Sequence, residues 1–152
     1  MSLKISEFVS IVLSAFVAGM LFGPWVALSR SLSAFQPGVF LAVVSRMNRN
    51  MANVMTILMP VALLSIVPVL FISYNERSKT FYVTLAGFGL FIVALLVTVL
   101  VEVPIVKQIE MWAVPALPHD WQQVRDRWGA FHVVRVVASV VGLMLLVFAA
   151  VF

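Results

Sequence analysis

The chain has 152 residues, 63% of them hydrophobic and 11% charged, with a mean hydropathy of +1.12. A soluble domain carries ~25% charged residues, so a soluble enzyme is excluded, and the length allows one domain with at most about five bilayer crossings of ~20 residues each. Ten Lys and Arg against six Asp and Glu give a net +4, scattered singly, which favours the lipid bilayer over nucleic acid as a partner; the absence of cysteine excludes disulfides, thiolate metal centres and thiol-redox chemistry.

The hydropathy pattern predicts an all-α membrane protein, a single domain over 1–152 built as a four-transmembrane-helix antiparallel bundle with amphipathic segments on one side. The uncharged run Phe8 to Ser29 predicts the first crossing, about 7–29, long enough for ~33 Å of helix. It is too long for the apolar core of a cleaved signal peptide, and Gly23-Pro24-Trp25 sits inside it. An amphipathic segment over 36–49 follows, with Pro37 suited to a first helical position and Phe40, Val43, Val44 and Met47 on one face. The second crossing, about 50–74, carries Pro60 and Pro68 and should kink. A polar turn from Tyr74 to Lys79 leads into the third, about 80–106. A second amphipathic segment, 107–127, is punctuated by Val114-Pro115-Ala116-Leu117-Pro118, after which His119 or Asp120 can cap the last helix. That helix starts near Trp121 and makes the fourth crossing over 128–151. No internal repeat is present.

An even number of crossings puts both termini on one side and both amphipathic segments on the other. The termini side has Lys4, Arg77 and Lys79; the far side has Arg30, Arg46, Arg49, Lys107, Arg125 and Arg127. By the positive-inside rule the far side is cytoplasmic and the termini lie outside, with a bacterial cytoplasmic membrane the expected location.

Polar residues converge at one depth. In the last helix Arg125, Trp128, His132, Arg135, Ser139 and Gly142 recur at steps of three and four and form one stripe. Glu102 is the only charge within the long apolar stretch of the third helix, one turn after Thr98; the second helix offers Arg46, Asn50 and Asn53 on one face, and the first offers Trp25 with Ser14 deeper. At ~1.5 Å per residue, Trp25, Asn53, Glu102, His132 and Arg135 fall in one layer near the far interface. An ionisable residue facing lipid there costs ~2.5–3.5 kcal/mol, so Glu102 and Arg135 should face inward and pair.

Simpler readings stand beside this one. Interfacial snorkelling and belting account for Arg125, Arg127, Trp112 and Trp121; a structural ion pair accounts for Arg135 with Glu102, and a satisfied core histidine for His132. Met47, Met51, Met55 and Met59 recur every four residues, and soft thioethers could line a Cu(I) path, but packing explains them better. No HExxH, glycine-rich phosphate loop or GxSxG is present, and two histidines cannot build a three-histidine metal site, so neither metal nor cofactor is expected.

The stretch Val101-Glu102-Val103-Pro104-Ile105, then Trp112, Pro118, Asp120-Trp121, Arg125, Arg127-Trp128, His132 and Arg135, resembles the carboxy-terminal half of the anthrone-oxygenase-like family of small four-helix integral membrane proteins. Arg46-Met47-Asn48-Arg49 is similar to that family's Asn-containing motif at the entrance to the second helix. The resemblance implies oxidation of an anthrone, or a similar planar hydrophobic aromatic, to a quinone by O2 without metal or flavin. It implies His132 as base, Arg135 as stabiliser of the phenolate-like anion, Glu102 orienting Arg135 or acting as a second base, and Trp25 and Trp128 as flat walls. Arg46, Asn48 and Asn53 complete the expected substrate contacts. One departure matters: where the family has Asn-Val-Pro-Leu-Asn, this chain has Glu102-Val103-Pro104-Ile105-Val106, a carboxylate for one amide and an alkyl group for the other. Two rival readings are a non-catalytic module binding a lipid or quinone-like molecule, and a small transporter or Cu(I)-handling protein. Transport needs access from both faces, and below Ser139 the last helix is aliphatic. Gly87 and Gly89 would permit the close helix approach of a homo-oligomer.

Overall fold

Long apolar runs without breakers become long helices. The computed structural model describes residues 2–76 and 78–152; Arg77, counted above with Lys4 and Lys79, lies outside the described residues. Helix α1 spans Leu3–Ala27 and passes through a 3-10 segment, Ser29–Ala34, into α2, Pro37–Glu76. After α3, Ser78–Val97, a π turn, Thr98–Glu102, leads straight into α4, Val103–Glu110; a short 3-10 turn, Val114–Ala116, precedes α5, Trp121–Val151. No strand occurs among the described residues. Four helices are long and apolar enough to cross a membrane, at Leu3–Ala34, Pro37–Tyr74, Lys79–Glu110 and Trp121–Val151, as fits an integral membrane protein.

Two local expectations are refined. The amphipathic segment 36–49 and the second crossing are one uninterrupted helix, because nothing between Pro37 and Pro60 breaks the hydrogen-bond ladder. Asp120 sits at the cap position of α5, but its main-chain carbonyl, not its side chain, receives Gln123 and Val124 N–H.

The helices form a ring in which α1 touches α2 and α5, and α3 touches α2 and α5. Each neighbour runs antiparallel to the next, as short connections require. The tightest approach is between α3 and α5, where a Cβ on Gly142 would lie 3.1 Å from the Gly87 carbonyl oxygen and 3.1 Å from the Phe91 ring. Gly87 is thus occupied inside the bundle rather than offered to a second copy; a Cβ on Gly89 meets nothing. Gly142→Val is expected to lower stability by ~1–3 kcal/mol, since main chain cannot step aside, while Gly89→Ala is neutral; thermal unfolding in detergent compares them.

Towards the termini the helices contact one another through small polar residues: Ser6, Glu7, Ser10 and Ser14 of α1, Ser73 of α2, and Thr80 and Thr84 of α3 are all buried. Ser10 and Ser73 return their hydroxyls to their own helices, on the Glu7 and Val69 carbonyls. Lys4 reaches across to the Ala150 carbonyl, 2.8 Å, and lies 3.2 Å from Glu7. The apolar core is in two parts: one holds Val17, Leu21, Met59, Ile66, Phe91 and Val136, and the other, on the far side, holds Phe40, Val44, Ile105, Ile109 and Trp128.

Candidate functional site

A cavity of about 350 Å³ lies at the seam between the two cores, walled by α2, by α3 with its π turn and the start of α4, and by α5. That is within the ~300–1,000 Å³ range of small-molecule pockets. Leu21 is the residue α1 contributes to the wall.

The π turn has a local cause. Pro104 has no N–H for the Leu100 carbonyl and its ring crowds that carbonyl, so the helix widens before it, and Val103 N–H bonds five residues back to Thr98. The widened turn presents Thr98 and Glu102 to α5. Glu102 is 3% exposed and its Oε2 accepts a 2.8 Å hydrogen bond from Arg135 Nη2. The same Nη2 donates to His132 Nδ1 at 2.8 Å, and Nη1 donates to Thr98 Oγ1 at 3.3 Å. Thr98 passes its own proton to the Ala94 carbonyl. The sequence-predicted pairing of Glu102 with Arg135 is therefore direct.

Two consequences follow from donor and acceptor inventories. A guanidinium only donates, so His132 Nδ1 must hold a lone pair, and the neutral ring carries its proton on Nε2. That nitrogen is buried beside the Leu21 carbonyl but closes no hydrogen bond of standard geometry. Glu102 Oε1 stands in the same way: it is buried and closes no hydrogen bond of standard geometry, with the Trp128 indole N–H beside the carboxylate. Trp128 stacks on His132 with ring centroids 6.0 Å apart and planes 17° apart. Glu102 Oε1, Trp128 Nε1, His132 Nε2 and Arg135 Nε are thus buried polar atoms with unspent capacity, all on residues of the cavity wall.

Five of the sequence-predicted site residues line this cavity: Glu102, His132, Arg135, Trp128 and Asn48. Three do not. Trp25 packs against Phe22 and lines a separate hollow with Arg30, Arg125 and Gly129, because α1 meets α5 on the side away from α3. Arg46 and Asn53 are exposed: they lie about 100° and 200° around α2 from the Met47 and Met51 positions that face the cavity. The methionines read as packing do pack, Met59 within one core and Met55 and Met47 against the two cores, and Met47, Met51, Met55 and Met59 also line the cavity. Their four-residue period was visible; that it faced a hollow was not. Arg125 is buried, paired with Asp126 at 2.8 Å and lying 5.2 Å over the Trp121 ring, whereas Arg127 is exposed.

The cavity sets a thioether-rich wall opposite residues that carry a carboxylate, a guanidinium, an imidazole and an indole N–H, a combination suited to one apolar molecule with a polar edge. Comparison with curated proteins finds no match, and comparison with solved structures finds none either. The family model described as anthrone oxygenase matches residues 40–145, a stretch that takes in every one of these polar groups and the methionine wall, and the chain belongs to that family.

Proposed function

We propose that this protein oxidises a planar hydrophobic aromatic of the anthrone or quinol type with O2 inside the membrane, with Glu102 as the base. The observation that carries the reading is the division of labour around Arg135: it occupies Glu102 Oε2 and His132 Nδ1 and leaves Glu102 Oε1 as the carboxylate oxygen that closes no hydrogen bond of standard geometry, on a residue of the cavity wall. His132, the base expected from the resemblance, is better read as the group that fixes Arg135.

Glu102 takes the acidic C–H proton opposite the substrate carbonyl, and negative charge moves from the carboxylate to the substrate oxygen. Arg135 is counterion to both, so charge is transferred rather than separated, which keeps the step affordable in a low dielectric. The anion gives its electrons to O2, a C–O bond forms, Glu102 returns its proton to the peroxide anion, and the carbon-bound hydroperoxide loses water as its remaining C–H proton leaves and the O–O bond breaks. For an anthrone, one CH2 and one O2 become one C=O and one H2O; a quinol gives two electrons and two protons to O2 and leaves as quinone with H2O2. Trp128 and the methionines hold the rings flat.

The same reading keeps the chain in a bacterial cytoplasmic membrane with its termini outside. Arg30, Arg46, Arg49, Lys107 and Arg127 are exposed on the far side, as topology-setting charges should be. The test is oxygen uptake by purified, metal-stripped protein with a panel of anthrones and hydroquinones. Uptake above the uncatalysed background is expected with at least one of them; none with any would leave a passive binder of hydrophobic ligands.

A further inference from the structure

The cavity reaches the outer surface of the bundle between α2 and α3. On α2, Ala52, Thr56 and Pro60 stand one above another at four-residue steps, and across from them stand Leu95, Val99 and Val103; all six line the cavity. Four of them are also exposed: Thr56 and Pro60 on one side, and Val99 (54%) and Val103 (40%) on the other. Both rows lie within the apolar spans Pro37–Tyr74 and Lys79–Glu110, so the gap between them faces acyl chains.

Each helix has a break in its hydrogen-bond ladder beside the gap. Pro60 has no N–H to offer the Thr56 carbonyl in α2, and the π turn widens α3 opposite. The aqueous end is cross-linked instead. Asn48 Nδ2 donates to Glu110 Oε1 at 3.0 Å and ties α2 to α4, and Phe40, Val44, Ile105 and Trp128 form the far-side core.

We infer that the occupant of this cavity enters and leaves sideways, through the slot between α2 and α3, as a molecule dissolved in the bilayer hydrocarbon. This rests on the cavity being the reaction site, and it narrows the substrate to a slim, uncharged, membrane-partitioned aromatic. A water-borne anionic ligand would instead have to pass the Asn48–Glu110 tie.

The test uses full-length protein in phosphatidylcholine vesicles with Trp25, Trp112 and Trp121 changed to Phe, so that Trp128 alone reports. Anthraquinone preloaded in donor vesicles is the probe, and the association rate is read from Trp128 quenching. Thr56→Phe with Val99→Phe is expected to slow association by ~10-fold or more, with Ala52→Phe as an independent plug, while Glu110→Gln, which weakens the aqueous tie, leaves it unchanged. An unchanged rate in both plugged proteins, or acceleration by Glu110→Gln, overturns the slot. Binding through the slot by a protein that consumes no oxygen would sink the reaction and keep the route. Unslowed oxygen uptake in the plugged proteins would do the reverse, and absence of any quenching would overturn both.

Discussion

Glu102→Gln is expected to lower anthrone-dependent oxygen uptake by ~10²–10⁴-fold, the usual contribution of a positioned base, with the helical signal and thermal transition retained. Gln keeps the shape and can still accept from Arg135, but it has no proton-accepting oxygen. His132→Gln separates the two candidate bases: it preserves an acceptor for Arg135 Nη2, so the loss should stay within ~10-fold if His132 only positions the guanidinium. A larger loss at His132 than at Glu102 would return the base to His132. Glu102→Asn, which restores the residue usual in the family, adds a further readout. Activity in that variant would mean the amide and the carboxylate reach the same end by different means, and the proton would then have to leave by another group.

Arg135→Ala should cost the fold more than any other single change at the site, about 3–5 kcal/mol, because it leaves a buried carboxylate without its counterion. Most of that figure measures the stranded Glu102 rather than the worth of the pair. The double variant Arg135→Met with Glu102→Gln should accordingly recover much of the lost stability, and the two single variants with the double form a cycle whose coupling term is read from unfolding in detergent. Additive losses would mean that the two groups do not depend on each other, contrary to the 2.8 Å contact. The recovered double variant should remain inactive, which separates the pair's role in folding from its role in chemistry.

The fold was legible because membrane helices announce themselves by length: four apolar runs of the right size leave little else for the chain to do. The α5 stripe was legible because Arg125, Trp128, His132, Ser139 and Gly142 share the buried face at three- and four-residue steps. Glu102 stood out as a lone charge. The inner face of α2 was not legible. Arg46, Asn50 and Asn53 looked like the inward side because they are polar, yet near the interface polar residues can face headgroups at little cost, while methionine is equally at home against lipid, a neighbour or a hollow. Hydropathy does not tell those three apart. Trp25 was placed at the right height and the wrong bearing, because height follows from counting residues whereas bearing depends on the order of helices around the ring. The π turn was foreshadowed by Pro104, which marks a break in the ladder without saying whether the helix widens or stops there.

The small-residue packing at one end of the bundle and the hollow towards the other give the molecule the mechanics of a pair of tongs. Near the termini, Gly87 against Gly142 and the self-satisfied hydroxyls of Ser10 and Ser73 hold the helices at close range with little side-chain freedom to lose. Beyond Pro60 the long α2 meets the rest through the thioethers around the cavity, through Phe40 and Val44 in the far-side core, and through the Asn48–Glu110 hydrogen bond. Side-chain freedom therefore rises along the bundle axis, from the glycine contact to the methionine wall that α2 supplies. A wall of this kind can repack around occupants of different width while the glycine contact stays fixed.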